Sequence, residues 1–191
     1  MPVTIRLATS ADGAAVAAIY APVVRDTTVS FEADPPDAAE MAARIAATLP
    51  RHPYLVAERD GRVVGYAYAG VHRTRAAYAW CAETSVYLAP DAQGQGVGRA
   101  LMEALVGVLA AQGFAVAVAG ATLPNDASVA LHRALGFRDV GVFPRAGFKH
   151  GQWWDTWWGA RDLGPGSAPA PPRAVSAVDG LARLLARRAE E

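Results

Sequence analysis

A glycine-rich turn between a strand and a helix is the feature that most constrains this chain. Residues 93–98 read Gln-Gly-Gln-Gly-Val-Gly, after a β-branched and aromatic run at residues 85–88 and before an apolar-periodic segment containing Leu101, Leu105 and Leu109. A helix start exposes backbone N–H groups without carbonyl partners and carries partial positive charge, so anions bind there. Glycine lets a phosphate approach the backbone and permits positive φ. The turn therefore predicts a pyrophosphate-binding site.

The spacing of this turn argues against two familiar nucleotide motifs. Arg99-Ala100 stands where the loop of a nucleoside triphosphatase needs Lys followed by Ser or Thr. Gly94, Gly96 and Gly98 are spaced two and two, whereas the dinucleotide fingerprint needs two and three. Taken alone, the motif leaves open a glycine-rich turn that binds no ligand.

The composition favours one soluble domain with small-molecule or protein partners. The chain has 191 residues, 52% of them hydrophobic, which is enough for one core. Eighteen basic residues balance eighteen acidic ones, so we expect no nucleic-acid and no membrane partner. Cys81 is the only cysteine, which excludes an internal disulfide and a multi-cysteine metal site. With no secretory type of leader at the N-terminus, we expect a cytoplasmic enzyme.

One apolar segment imitates a membrane span. Residues 104–124 are long enough to cross a bilayer and have Gln112 and Thr122 as their only polar side chains. Gln112-Gly113 divides the segment into a helix-like and a strand-like half, both typical of a buried α/β core. The sequence therefore favours a soluble protein.

Hydrophobic periodicity predicts an α/β fold of the α+β type. Strands are predicted at residues 3–7, 54–58, 63–69, 79–88, 114–119, 137–143 and 153–158. Helices are predicted after a cap at Ser10, from residues 34–36, after the glycine turn and at residues 128–135. We expect a domain over residues 1–163, a Pro/Gly/Ala-rich linker over 164–176 and a short amphipathic helix over 177–191.

Several separated motifs carry a family resemblance. They are Glu-Thr-Ser-Val-Tyr at 83–87, the glycine turn at 93–98, Leu-Pro-Asn-Asp-Ala-Ser at 123–128, Leu-His-Arg-Ala-Leu-Gly-Phe at 131–137 and Gly-Phe-Lys-His-Gly-Gln-Trp-Trp-Asp at 147–155. Over about residues 3–163 the chain resembles the GNAT N-acetyltransferases, and within them the phosphinothricin and methionine sulfoximine acetyltransferases. The resemblance implies a GNAT fold, a mixed and strongly twisted central sheet flanked by helices and splayed where acetyl-CoA binds, with no metal.

The resemblance also implies the cofactor-binding residues. Backbone groups for the pantetheine arm come from Val86, Tyr87 and Leu88. The pyrophosphate is held by Gln93, Gly94, Gln95, Gly96, Val97 and Gly98, and Asn125 reaches the cofactor with help from Ser128. Many relatives have an arginine at the position of Gln93. Backbone N–H groups and the start of the helix must therefore balance the phosphate charge in this chain, and Arg99 is a candidate for assisting them.

Two residues are candidates for the proton transfers. Glu83 lies on the strand expected to face the cleft, where its carboxylate is suited to take a proton from an ammonium group directly or through water. His132 stands where many GNAT enzymes present a tyrosine hydroxyl near the sulfur, and is the second candidate. A surface carboxylate and a packing histidine are the respective alternatives. A backbone N–H near Leu88 is expected to meet the oxyanion.

An acceptor with an acidic group needs cationic recognition, best provided by a guanidinium. By resemblance, the basic loop Arg73, Thr74 and Arg75 is a substrate loop that faces Glu83, Thr84 and Ser85. Phe31 is expected to wall the pocket and Lys149 to close it, at the interface of a homodimer as in relatives. For Arg75, a solubilising role at a hairpin tip is the alternative.

The expected function is acetyl-CoA-dependent N-acetylation, by direct transfer to the α-amino group of a small amino-acid analogue such as methionine sulfoximine, methionine sulfone or phosphinothricin. Two alternatives stay open. The acceptor is another small amine or a peptide N-terminus, or the chain is a non-catalytic acyl-CoA-sensing module.

Overall fold

Strands and helices alternate along the computed structural model, which describes residues 3–164 and 170–186 of the chain. The strands are β1 (Thr4–Leu7), β2 (Tyr54–Arg59), β3 (Arg62–Val71), β4 (Cys81–Leu88), β5 (Val116–Thr122), β6 (Arg138–Lys149) and β7 (Gln152–Asp162). The helices are α1 (Gly13–Asp26), α2 (Ala38–Thr48), α3 (Val97–Gln112), α4 (Asp126–Ala134) and α5 (Leu181–Leu185).

The strands form one mixed sheet that opens in the middle. Its order is β1-β2-β3-β4-β5-β7-β6, and β4 with β5 is the parallel pair. These two strands pair only from Cys81 opposite Val116 to Glu83 opposite Val118. Both strands continue, β4 to Leu88 and β5 to Thr122, without pairing to each other. The predicted fold class and the splay are therefore confirmed.

Helices cover both faces of the sheet. On one face, α3 buries Leu101, Leu105 and Leu109 at helical spacing against alternate residues of the central strands. On the other face, α1 and α2 pack Val16 and Ile45 against the strand side chains that point to that face of the sheet. Between these two layers of helices, the splay opens the centre of the sheet where the pairing of β4 with β5 ends at Glu83 and Val118.

The apolar segment at residues 104–124 divides where the sequence predicts. α3 ends at Gln112, Gly113 follows with φ of +95°, and β5 begins at Val116. Within residues 3–164 and 170–186, no helix combines the length and apolar character needed to cross a bilayer.

Two helix starts differ from the prediction. Ser10 does not cap α1; it begins a short 3-10 turn, and α1 starts at Gly13, where a Cβ would lie 2.5 Å from the carbonyl oxygen of Ala38 on α2. Asp37, rather than Asp34, caps α2, because its Oδ1 lies 2.8 Å from the N–H of Glu40. In both cases packing and backbone direction select the cap among several suitable residues.

The outer strand β6 is longer than residues 137–143. It extends to Lys149 because a register shift between Phe143 and Gly147, with Arg145 at φ of +51°, accommodates the Pro144 segment without ending the strand. Its outer surface exposes Val140, Val142, Phe143 and Phe148, and the start of β7 exposes Trp153, the strand partner of Phe148.

The described part of the tail packs on the body. The N–H of Arg173 donates to the carbonyl of Gln112 at 2.8 Å, and Nε2 of Gln112 donates to the carbonyl of Arg173 at 2.7 Å. Trp80 Nε1 donates to the carbonyl of Ala170 at 2.8 Å, and Val175 and Val178 are buried. Residues 165–169 of the predicted linker and 187–191 of the predicted helix lie outside the described residues, so the division into domain, linker and helix stays a prediction.

Candidate active site

The splay between β4 and β5 contains a narrow cavity of about 50 Å³. It is lined by Thr84, Ser85, Val86 and Tyr87 of β4, Gly120 and Ala121 of β5, Asn125, Ser128 and His132 of α4, and Val29 of the loop after α1. Residues that the sequence assigns to cofactor, substrate and catalysis thus meet around one opening. Thr84 itself is buried and donates from Oγ1 to the Val118 carbonyl at 3.0 Å, which closes the end of the splay.

The edge of β4 facing β5 offers free backbone groups. The N–H of Ala89 donates to the carbonyl of Val64 beside β3 at 2.9 Å. Because successive N–H groups of a strand point to opposite sides, the N–H groups of Leu88 and Val86 point toward the splay. The opening is therefore lined by main-chain donors suited to amide oxygens of an extended ligand.

The glycine turn has the backbone conformation of an anion site. Gly94 and Gly96 have φ of +71° and +76°, and Gly96 is the residue that caps α3. A Cβ built on either residue would meet no atom within 4 Å, so the space above the turn is open to a phosphate. The side chain of Val97 is buried, which leaves its backbone as the part available to a ligand.

Polar side chains around the turn are engaged with protein partners. Gln95 Oε1 accepts from Arg59 Nη1 at 2.6 Å, and Arg99 pairs with Glu103 at 3.0 Å. Gln93 and Gly98 complete the turn; Gln93 is exposed, and Gly98 is buried against Leu88. With these side chains paired, the start of α3 is the group left to balance the charge of a phosphate, and phosphate binding at the turn stays a prediction.

Helix α4 begins beside the splay and presents His132. The Oδ1 of Asn125 accepts from the N–H of Ser128 at 3.2 Å, which caps the helix. His132 Nδ1 lies 2.8 Å from the Ser128 carbonyl, so Nδ1 must carry the hydrogen. Nε2 is buried, with no hydrogen-bond partner within the described residues. Burial lowers the pKa of His132, so the neutral ring offers the lone pair of Nε2 as an acceptor or base.

Glu83 lies at the last paired position before the splay, opposite Gly70 of β3 and Val118 of β5. Its side chain is 40% exposed, and Oε2 lies 3.2 Å from Nδ1 of His72. The carboxylate is therefore accessible at the edge of the opening rather than buried in the sheet. This position suits a group that exchanges a proton with a bound amine.

A second cavity, of about 400 Å³, adjoins this edge. It is lined by His72, Arg73, Val118, Val140, Gly141, Val142, Phe143, Trp158 and Gly159. Of the predicted loop Arg73, Thr74 and Arg75, all exposed, Arg73 lines the cavity and holds its guanidinium carbon 5.9 Å from the ring centre of Tyr78. The walls are apolar and the mouth carries a cation.

The loop after α1 is tied to the outer strands. The Phe31 ring covers Gly147 of β6, where a Cβ would lie 2.3 Å from it. Lys149 Nζ donates to the carbonyls of Val24 and Ser30 at 2.6 and 2.7 Å. Phe31 contacts the outer strand and is not among the residues that line either cavity, and the Lys149 ammonium is occupied with the backbone. A contact of either residue with substrate stays a prediction.

Glu32, next to Phe31, is fixed from the other side. Arg44 donates to both carboxylate oxygens at 2.8 and 2.9 Å, and Tyr20 donates to Oε1 at 2.9 Å. The Arg44 guanidinium holds the pKa of Glu32 below its usual range. Glu32 is therefore an ionised anchor for the loop.

Sequence reasoning missed two residues near Glu83. His72 directly precedes the predicted substrate loop, and no sequence pattern marks it as functional. Its contact with Glu83 is seen only in the structure. Tyr68 is paired with Ser85 across β3 and β4, and burial raises the pKa of its hydroxyl, which stays protonated as a donor. The strand pairing was predictable in outline, but the register that brings these side chains together was not.

Among residues 3–164 and 170–186, no group of three or more His, Cys, Asp or Glu side chains is arranged to hold a metal ion.

Comparisons with known proteins agree with this geometry. The family model described as "Acetyltransferase (GNAT) domain" matches residues 5–158. The chain is 46% identical over 170 residues to phosphinothricin N-acetyltransferase of Alcaligenes faecalis, covering 88% of this chain and 86% of that protein. It is 39% identical over 157 residues to L-methionine sulfoximine/L-methionine sulfone acetyltransferase of Pseudomonas paraeruginosa, covering 81% and 91%.

A solved structure extends the agreement to three dimensions. The phosphinothricin acetyltransferase of Sinorhizobium meliloti, in complex with AcCoA, superposes with a TM-score of 0.85 at 41% identity and covers 98% of this chain and 100% of that one. The family match spans most of the chain, and the splayed sheet, the glycine turn and the α4 start are all present. The chain belongs to the GNAT family of acetyltransferases.

Proposed function

We propose that this enzyme transfers the acetyl group of acetyl-CoA directly to the α-amino group of a small amino-acid analogue of the methionine sulfoximine, methionine sulfone or phosphinothricin type. The observation that carries the proposal is the position of Glu83, at the last paired rung before the splay and beside the cavity that Arg73 lines. A base at the edge of the cofactor opening and a cation at the mouth of an apolar cavity suit a zwitterionic acceptor. The names of the two relatives support this class.

Acetyl-CoA supplies the thioester that is attacked. The open space above Gly94 and Gly96 fits its pyrophosphate, and the β4 edge at Val86 and Leu88 offers N–H donors to the pantetheine arm. One of these donors also stabilises the developing oxyanion, a contribution of about a hundredfold or more in rate. Two separate anchors of this kind would hold the thioester near the edge of β4 that carries Glu83.

Glu83 prepares the nucleophile. One N–H bond of the acceptor ammonium breaks, the proton forms an O–H bond with the carboxylate, and the neutral amine keeps the electron pair with which it attacks. As the C–N bond forms, the C–S bond of the thioester breaks and coenzyme A leaves as a thiolate. The thiolate takes up the second proton that the nitrogen loses, directly or through water, and the exposed carboxylate returns the first proton to solvent. His132 is the second base, since its Nε2 lone pair is buried beside the splay.

Arg73 selects the acceptor. Its guanidinium binds the acidic group of the substrate, and the apolar walls at Val142, Phe143 and Trp158 contact the carbon part of the side chain. A cation next to an apolar cavity disfavours cationic amines, which distinguishes this proposal from a general amine acetyltransferase.

The test is release of free thiol from acetyl-CoA with a panel of acceptors: L-methionine sulfoximine, L-methionine sulfone, phosphinothricin, ordinary amino acids, a polyamine and a peptide. We expect turnover confined to the sulfoximine, sulfone and phosphinate compounds. In Arg73→Ala the KM of the acceptor should rise about tenfold or more, because a charge-assisted contact is lost, while the KM of acetyl-CoA stays unchanged. Arg51→Ala, at an exposed arginine outside the cavity lining, is the matched control.

The panel also separates the alternatives. Preferred turnover of a peptide or polyamine would contradict the proposed acceptor class and assign the same chemistry to another amine. Binding of acetyl-CoA without turnover of any acceptor would contradict the catalytic proposal and favour an acyl-CoA-sensing module.

We propose further that the enzyme is a homodimer and works in the cytoplasm, where acetyl-CoA is available and a single free cysteine is stable. The exposed apolar residues of β6 and β7 support self-association, since Phe148 and Trp153 form an exposed aromatic pair with ring centres 5.2 Å apart. Light scattering should give twice the mass of the chain, and Phe148→Ser should shift the population toward monomer. Val71→Ser, at an exposed valine on β3, should leave the mass unchanged. A monomeric wild type would contradict the proposal.

A further inference from the structure

His72 contacts the Glu83 carboxylate that the proposed chemistry uses, but has no role in that chemistry so far. Its Nδ1 lies 3.2 Å from Glu83 Oε2. Its ring meets Tyr78 edge-on, with centres 6.1 Å apart, and Trp158 edge-on, with centres 5.8 Å apart. The side chain is only 17% exposed, although it belongs to a loop whose next three residues are exposed. The imidazole is therefore held between two aromatic rings.

The orientation of the ring follows from these contacts. Tyr78 belongs to the short 3-10 turn that precedes β4, and Trp158 belongs to β7. The His72 ring therefore contacts aromatic rings from two different elements of the fold. Two aromatic neighbours restrict rotation of the imidazole, and Nδ1 stays directed at the carboxylate. A fixed ring nitrogen is an effective donor because little conformational entropy is lost when the hydrogen bond forms.

Glu83 needs such a donor to act in one defined position. A glutamate side chain that is 40% exposed samples several rotamers, and only some of them place an oxygen at the edge of the splay. A proton acceptor is efficient when it is held within hydrogen-bond distance of the proton that it takes. Fixing Oε2 leaves Oε1 free to meet the acceptor ammonium.

We infer that His72 is a positioning residue for Glu83: its Nδ1–H donates to Oε2 and directs Oε1 toward the amine of the acceptor. This inference rests on the proposed function and deepens it. In the proton transfer, one N–H bond of the ammonium breaks and the O–H bond forms at Oε1. The Nδ1–H bond of His72 stays intact throughout.

The inference explains why one loop carries both His72 and Arg73. Both residues line the 400 Å³ cavity, which also includes Val118, the partner of Glu83 in the sheet. Arg73 binds the acidic group of the acceptor while its neighbour orients the base for the amine of the same molecule. Adjacent residues of one loop thus serve the two functional groups of the acceptor.

The test uses two substitutions at His72, one that keeps a ring without the donor and one that keeps a donor without the ring. His72→Phe keeps a ring against Tyr78 and Trp158 and removes the donor. His72→Asn places an amide N–H near the position of Nδ1 and removes the ring. We expect His72→Phe to lower kcat/KM for the acceptor about tenfold, with the KM of acetyl-CoA unchanged, and His72→Asn to recover most of that loss.

A double-mutant cycle separates positioning from packing. In the Glu83→Gln background, His72→Phe should change the residual rate by less than about twofold, because the group that His72 positions is gone. Equal losses in both backgrounds, or no recovery in His72→Asn, would overturn the inference and leave a packing role. If His72→Phe does not fold, His72→Leu serves as the second donor-free variant and is judged by the same two criteria.

The same assays distinguish failure of the inference from failure of the proposed function. Wild-type enzyme without turnover of any acceptor contradicts both. Wild-type turnover with an unaffected His72→Phe variant contradicts only the positioning role and leaves Glu83 as a base that needs no support.

Discussion

Replacing Glu83 with glutamine is expected to lower kcat for the best acceptor by about a hundredfold or more, the usual contribution of a positioned general base. The substitution keeps the size of the side chain and a carbonyl oxygen that can still accept from His72, so the fold and acetyl-CoA binding should be retained. Only the ability to take a proton from the ammonium is lost. The measurement is steady-state thiol release at saturating concentrations of both substrates.

The matched control for this prediction is Glu40→Gln. Glu40 is an exposed glutamate of α2 that pairs with Arg44 at 2.5 Å, and Arg44 keeps its two contacts with Glu32 when that pair is lost. Exposed pairs of this kind contribute less than about 1 kcal/mol, so kcat should stay at the wild-type level. A rate for Glu83→Gln within about threefold of wild type would mean that His132 or water is sufficient as the base.

The second large effect is expected at the glycine turn. Gly96→Ala should weaken acetyl-CoA binding about 10- to 100-fold, because the methyl group occupies the open space that a phosphate needs. The substitution also strains the backbone at φ of +76°, at a cost of about 1 kcal/mol in folding free energy. Calorimetric titration with acetyl-CoA measures the first effect and thermal unfolding the second.

Gly113→Ala provides the control for the strain alone. Gly113 follows the other end of the same helix with φ of +95°, and a Cβ there also meets no atom within 4 Å. Both variants should therefore lose similar stability, and only Gly96→Ala should lose affinity. Equal affinities in the two variants would contradict phosphate binding at the turn.

The parts of the site that lie close together in sequence could be predicted well. The glycine turn at residues 93–98 combines strand, turn and helix signals within a single stretch, and its conformation follows from local backbone preferences. The cap of α4 by Asn125 is equally local, although the helix was predicted from residue 128, since it joins the Asn125 side chain to an N–H three residues later. Local chemistry is readable because the interacting groups are separated by only a few bonds.

The parts that depend on long-range packing could not be predicted. The contact between His72 and Glu83 requires the register of β3 against β4, and the cavity beside them requires β6 and β7 to fold back over the loop. Lys149 illustrates the same limit. The resemblance assigned it a place at the substrate pocket, which stays a prediction, but it did not indicate that the ammonium binds two carbonyls more than a hundred residues earlier. Residue type and spacing carry no information about such partners.

Long-range packing also determines where two elements, strand β6 and helix α1, begin or end. Strand β6 continues through Pro144 because the register shift removes the need for its missing N–H. The start of α1 is set by the close approach of Gly13 to α2, which no local pattern encodes. In both places a tertiary contact overrides a breaker or cap that the sequence displays.

The unpaired edges of β4 and β5 have a consequence for the energetics of the whole domain. Main-chain groups beyond Glu83 and Val118 lack strand partners across the gap, so a bound ligand that satisfies them adds its binding free energy to the native state alone. By mass action, a ligand at a hundred times its dissociation constant raises the free energy of unfolding by about 2.7 kcal/mol. The resistance of this protein to local opening, and hence to proteases, is thereby linked to the supply of acetyl-CoA in its surroundings.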